Sequence, residues 1–222
     1  HQYPEKQGLY DPRFEHDACG IGAIVSINGH KSHKVVMRAL EILINLEHRG
    51  ASGSDAKSGD GAGILLQIPH LFFKKACKEL HIDLPESGRY GVVMFFLPQD
   101  TEKRQHCQYI FEQAVAREGQ EFLGWRKLPL EDTCLGTTAT ASMPYIMQAF
   151  VGCSPDLTSE LEVERKLYVI RKQTENTLER EQMQGFYIPS LSSRTIVYKG
   201  MLLAEQVRRF YKDLTHPSFK SA

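Results

Sequence analysis

No run of apolar residues in this sequence comes near the roughly 20 needed to span a bilayer. An excess of one charge is also missing. Lys+Arg and Asp+Glu number 27 each, for a formal net charge of zero. That leaves no basic field to draw nucleic acid or an anionic membrane, so neither is expected as a partner. The N-terminus has no basic segment followed by an apolar one, which argues against a secretory signal. The five cysteines stand at 19, 77, 107, 134 and 153, an odd number with no C-x-x-C pair. This argues against a disulfide framework and against finger-type zinc, and it suits a reducing, cytoplasmic compartment. His30 and His33 form an H-x-x-H without the cysteine pair a zinc site would need, so no metal is expected. Internal repeats and low-complexity tracts are absent. The first residue is His rather than Met, which suggests a chain that starts inside its translated product.

What is present is an ordinary globular composition: 222 residues, 41% hydrophobic and 24% charged, enough for one large domain or two small ones. Residues 1–18 are rich in charge, Pro and Gly and read as an extension. Residues 19–27 alternate Ile21, Ala23, Val25 and Ile27 against small residues, the pattern of a strand buried on at least one side with something packed close. Asn28-Gly29 is a turn. Val36, Leu40, Leu43 and Leu46 give residues 34–47 a helical apolar stripe. A long Gly-rich loop over 48–63 precedes a strand at 64–68 and a helix at about 70–80. YGVVMFFL (90–97) is the clearest strand. A helix follows over 101–118, stopped by Gly119. Strands are expected within FLGWRKLPL and YIMQAFVG, and a helix over 161–183. A hairpin turns about Ser192-Ser193, and the last helix covers 204–211. Adjacent strands in mixed order with helices imply α+β with antiparallel sheets.

Cys19 raises the chemical question. A thiol of ordinary pKa, about 8.5, needs a base to attack at neutral pH. No histidine is marked by spacing as that base. If Cys19 were the first residue of the chain, its own α-amine, with a pKa of about 7.7–8.0, would serve, and proximity would be built in. The competing reading is a small hydrophobe at a strand start.

The surrounding residues bear on that choice. CGIGAIV, an amphipathic helix, and then LEHRGASGSDAKSGDGAGILLQIP resemble the start of the class II (N-terminal-nucleophile) glutamine amidotransferases. YGVVMFFLP, LGWRKLPL, ERKLYVIRKQ and YIPSLSSRTIVYKGMLLAEQVRRFYKDL narrow the resemblance to the amidotransferase domain of the glutamate synthase family, from about residue 10 onward. The resemblance implies an αββα sandwich of antiparallel sheets, incomplete here, and a propeptide over 1–18 cut between Ala18 and Cys19. It implies Cys19 as nucleophile on the side chain of L-glutamine, with Arg49 and Gly50 of HRG beside the substrate. Ammonia would pass to 2-oxoglutarate in the remaining domains, where FMN and an iron–sulfur cluster work with an electron donor or small subunit; no cofactor is expected in this segment. A plant-type source would place the protein in plastids. The family's HSRFSTN-like and HNGE-like segments do not occur, and Cys19 carries an amide rather than a free amine, so this stretch alone is expected to be inactive. Two alternatives remain: an amidophosphoribosyltransferase-like enzyme, against which the long loop counts, and a non-catalytic interaction fragment.

Other residues carry weaker expectations. GDGAG (59–63) precedes a strand, unlike a dinucleotide cradle. Asp55 and Asp60 order their loop or bind a cation. His48 is structural. Trp125 and Arg126 pack on the sheet surface, Arg194 is an outside candidate for lining the pocket, and the other four cysteines are buried thiols.

Overall fold

The structure is a computed structural model that describes residues 6–8, 11, 19–50 and 55–222. Most of the 1–18 extension and part of the Gly-rich loop therefore lie outside the described residues. Among the described residues, six α-helices and six strands follow in the order α1 (His33–Asn45), β1 (Ala62–Gln67), α2 (His70–Lys78), β2 (Tyr90–Leu97), α3 (Thr101–Arg117), β3 (Glu121–Lys127), α4 (Thr137–Ala141), β4 (Tyr145–Gly152), α5 (Glu160–Arg180), β5 (Tyr187–Ser192), β6 (Thr195–Gly200) and α6 (Ala204–Phe210).

β3, β4, β2 and β5 form a four-stranded antiparallel sheet in that spatial order, and β1 pairs with β6 in a two-stranded one. The central strand β2 explains the layering. Its side chains alternate, and both faces are apolar, so it must be covered twice. Val93, Phe95 and Leu97 meet Phe111 of α3 and Leu167 and Ile170 of α5. Tyr90, Val92 and Met94 join a second core with Ile196 and Tyr198 of β6, Phe73 of α2 and Val36 and Leu40 of α1. Helices α3 and α5 thus cover the four-stranded sheet outside, while α1 and α6 flank the β1–β6 pair. This is the α+β, αββα layering with antiparallel sheets that the resemblance implies. Each fully buried Phe or Leu contributes roughly 1.5–3 kcal/mol.

Local chemistry sets the helix ends. The Ser32 hydroxyl accepts from the Val35 amide to start α1. Ser159 and Glu162 form a reciprocal capping box on α5.

Residues 19–27 depart from expectation. They form no strand, and Ile21, Val25 and Ile27 are 91%, 74% and 97% exposed. Alternation makes a segment fit for a strand, but a ladder partner is what makes it one, and none of the described residues pairs with it. The expected close packing is there. A Cβ on Gly22 would collide with Ile42 of α1, and one on Gly20 would lie 3.3 Å from Leu46 and Arg49. The Asn28-Gly29 turn also forms, with the Gly29 amide bonded to the Ser26 carbonyl at 2.9 Å.

Candidate active site

The C-terminus of α1 ends at Leu46, and the chain continues as a short 3-10 turn, Glu47–Arg49. Above that turn lies Cys19, exposed. A cavity of about 570 Å³ opens there, lined by Cys19 and Gly20, by Leu43, Leu46, Glu47, Arg49 and Gly50, by Asp60–Gly63, and by Leu202–Ala204. The three residues singled out in the sequence, Cys19, Arg49 and Gly50, therefore share one cavity. The near neighbours of Gly50 are Asp60 and the Glu47 carbonyl, each 3.5 Å from where a Cβ would stand. The tight approach to the Arg49 side chain is made by Gly20. His48 sits exposed on the same 3-10 turn.

The second wall is the end of the Gly-rich loop. Asp55 holds it through a set of bonds reaching across to α4. The Asp55 carboxylate accepts from Ser58 Oγ at 2.8 Å, the Lys57 amide at 3.0 Å, the Thr138 amide at 3.1 Å and Thr137 Oγ1 at 3.3 Å. Ser58 Oγ in turn accepts from the Ala139 amide at 3.1 Å. These donors, Ser58 first and the Thr138 amide next, hold the Asp55 carboxyl well below the usual carboxylate range. Asp55 is thus the residue that orders the loop. The loop enters β1 at Ala62 and not a helix, so it is no phosphate cradle.

Four cysteines take no part. Burial pushes the Cys77 thiol up to about 12 and those of Cys107 and Cys153 up to about 11, and it also raises that of Cys134. No group of three His, Cys, Asp or Glu able to hold a metal occurs among the described residues. His33 instead bonds through Nδ1 to the Phe219 carbonyl at 2.9 Å. No helix among the described residues is long and apolar enough to cross a membrane.

One arginine departs from expectation and another meets it on an unforeseen face. Arg194 does not line the cavity; its side chain is 67% exposed, 3.9 Å from Glu160. Arg126 does pack on the sheet, but on its inner face. It is buried between the sheets and bonded to Asp213 and Gln148. It lies on the opposite face of β3 from Trp125, and its charge can sit between the sheets because Asp213 and Gln148 pair with it. Trp125 does pack on the outer face, against Phe95 and Phe111, and donates to Glu112 at 2.6 Å. Leu202, Leu203 and Ala204 were not legible as cavity residues, since no local pattern marks them.

A thiol at a cavity walled by Arg49, Gly50 and a glycine-rich strand entry suits nucleophilic chemistry, and the comparison with known families gives the class. The profile "Glutamine amidotransferases class-II" matches residues 19–222, and the chain belongs to that family. The chain is 50% identical over 221 residues to the glutamate synthase [NADPH] large chain of Bacillus subtilis, which covers 100% of this chain and 14% of that protein. It is 42% identical over 228 residues to glutamate synthase [NADH] of Saccharomyces cerevisiae, covering 98% of this chain and 10% of that one. Against the ferredoxin-dependent glutamate synthase 1, chloroplastic/mitochondrial, of Arabidopsis thaliana the identity is 38% over 219 residues, covering 98% and 13%. The chain thus spans about a seventh or less of the length of these relatives.

Proposed function

We propose that this chain is the glutamine-hydrolysing part of a glutamate synthase, with Cys19 as its nucleophile. The observation that carries the reading is the position of Cys19: exposed, at the cavity it shares with Arg49 and Gly50, and at the residue where the family match begins. In the sequence Cys19 follows Ala18, so its nitrogen is an amide and cannot accept a proton. Removal of residues 1–18 would free the α-amine to act as the base.

The chemistry then follows from the groups present. The α-amine takes the thiol proton, and Sγ attacks the side-chain carbonyl carbon of L-glutamine. The tetrahedral adduct collapses, the C–N bond breaks, and the amine's proton leaves with ammonia. Water, deprotonated by the same amine, attacks the thioester, which releases L-glutamate and restores the thiol. No oxidant or reductant enters these steps. Arg49 and Gly50 line the substrate's side of the cavity.

The remaining steps belong elsewhere in the polypeptide. FMN and an iron–sulfur cluster would serve the reduction of 2-oxoglutarate with ammonia to a second glutamate. The described residues do not fit the cluster: four cysteines are dispersed and buried or half-buried, and no three metal ligands converge. The relatives named above use NADPH, NADH or ferredoxin, yet all resemble this chain over almost its full length, so the donor or small subunit is chosen outside it. A cytoplasmic location is proposed, or a plastid one for a plant-type source.

The test is made on the whole natural polypeptide. Intact mass and N-terminal sequencing should find Cys19 first, and L-glutamine should yield ammonia. Cys19→Ala should abolish ammonia release from glutamine. A mature Cys19 terminus with no hydrolysis of glutamine would refute the reading.

A further inference from the structure

One buried side chain outside the cavity ties two of its walls together. Gln206, on the first turn of α6, is 2% exposed. Its Oε1 accepts from the Leu203 amide at 2.8 Å. Its Nε2 donates to the Lys57 carbonyl and to the Cys134 carbonyl, each at 2.8 Å. Both protons of the amide are therefore used, on two segments 77 residues apart by number (57 and 134). The Gly136 amide also donates to the Lys57 carbonyl, at 3.2 Å, so that one carbonyl is gripped twice.

The segments joined are those that shape the cavity. Three residues after Lys57 comes Asp60, then Gly61, on one wall; Leu203 and Ala204 make the adjoining wall. Between them the backbones touch. A Cβ on Gly59 would run into the Leu202 carbonyl and come within 2.7 Å of the Leu203 nitrogen. The walls can lie this close only with glycine at 59 and with their polar backbone groups paired. Gln206 supplies that pairing. A buried amide with these partners is costly to disturb: without it the Cys134 carbonyl and the Leu203 amide lose this partner, and the Lys57 carbonyl keeps only the Gly136 amide.

The geometry points to Gln206 as a positioning residue for glutamine hydrolysis, one that acts by holding the Asp60–Gly61 wall against the Leu203–Ala204 wall. This rests on the glutaminase reading above. Gln206 does not reach the cavity, so it touches no reacting atom. The walls it holds face the substrate throughout the reaction. Their displacement should weaken ground state and transition state alike, and that raises KM with kcat kept.

The informative substitution is Gln206→Glu in the whole natural polypeptide. A carboxylate still accepts from the Leu203 amide and so preserves the start of α6. It cannot donate to the Lys57 and Cys134 carbonyls. Gln206→Met, of similar length, removes all three bonds. For Gln206→Glu, KM for L-glutamine is expected to rise about tenfold with kcat within about twofold. Hydrogen exchange of residues 55–63 should quicken while that of β2 does not. Gln206→Met should show both effects, and both variants should melt at a lower temperature, since one leaves polar groups unpaired and the other buries a carboxylate against two carbonyls. A fall in kcat at unchanged KM, wild-type kinetics for Gln206→Glu, or unchanged exchange over 55–63 would each overturn the inference. If the unsubstituted protein releases no ammonia from glutamine, the functional reading fails first and the positioning role falls with it. The exchange experiment then judges the strap by itself, which separates the two failures.

Discussion

Arg126 and Asp213 lie 87 residues apart in sequence and meet between the two sheets through two parallel hydrogen bonds, at 2.7 and 2.8 Å. Both side chains are more than nine-tenths covered. Gln148 accepts from Arg126 at 2.7 Å and donates to the Tyr198 hydroxyl at 3.1 Å, and that hydroxyl donates to Asp213 at 3.2 Å. The ring of bonds is closed and joins β3, β4, β6 and the chain after α6. Burial, with the Asp213 charge beside it, holds the Tyr198 phenol well above its usual range.

Asp213→Ala should destabilise the fold by about 3–5 kcal/mol, because it leaves a buried guanidinium without its anion. Replacing both partners, Arg126→Met with Asp213→Leu, should cost far less than the single change, since a buried pair gains little over apolar residues of similar volume. Urea denaturation of the two variants measures the difference. Equal losses for single and double variants would contradict it.

Thiol labelling should single out Cys19. Iodoacetamide reacts with thiolate, and Cys77, Cys107 and Cys153 are held protonated by burial, up to about 12, 11 and 11. At pH 7.5 in native buffer, Cys19 should react at least about 100-fold faster than those three. In denaturant all five should label alike. Peptide mass spectrometry after timed quenching reads the rates.

Acid should loosen the loop beside the cavity. The Asp55 carboxyl is held low in the fold by Ser58 and the Thr138 amide. A group whose folded pKa is depressed stabilises the fold above its unfolded value, about 4, and loses that contribution as pH falls below it. His70 acts in the same direction at higher pH. Burial lowers its pKa, so its contribution fades as pH falls through about 6.5. Urea midpoints between pH 7 and pH 3 should therefore fall in two stages, and Asp55→Asn should flatten the lower one.

Gly136→Ala tests the same clamp sterically. A Cβ there would collide with the Asp55 carboxylate and approach Ser58 Oγ to 2.6 Å. The expected loss is about 1–3 kcal/mol, as for other overpacked sites. By contrast, Gly88→Ala meets nothing within 4 Å and is strained only by its φ of +83°. Thermal melts of the two variants compare steric clash with backbone strain.

Phe95→Ala checks the core between the sheet and α3–α5. Phe95 is fully buried, with the Phe111 and Trp125 rings 4.8 and 5.2 Å from its own. A loss of about 3–5 kcal/mol is expected from the cavity left behind. A loss under 1 kcal/mol would mean that the layer repacks.

Most elements could be read locally, because local rules made them. YGVVMFFL became β2 since an apolar run of that length and β-branched content has few other uses. The 101–118 and 161–183 periodicities became α3 and α5, which begin at the side-chain caps of Asp100 and Ser159. Helix α1 and its apolar stripe were also legible. The hairpin expected about Ser192-Ser193 does not form: the chain turns there, but β5 pairs with β2 and β6 with β1, in different sheets, because each strand finds its ladder partner elsewhere in the chain. Residues 19–27 were misread for a clear reason. Alternation reports what a segment can bury, while a strand exists only when another backbone bonds to it. Which face of the sheet Arg126 packs on was not legible, because the partner that lets a charged side chain sit between the sheets, Asp213, arrives from 87 residues away.

The sequence by itself determined the alternating and helical patterns, the glycines needed for close approach, and the family, carried by CGIGAIV and HRG. Tertiary structure decided which distant groups meet: Asp55 with the start of α4, Gln206 with Lys57 and Cys134, Arg126 with Asp213. Local pattern follows from one residue's neighbours along the chain. The walls around Cys19 depend on hydrogen bonds between segments whose separation in sequence carries no signal, and only packing of the two sheets brings them within reach.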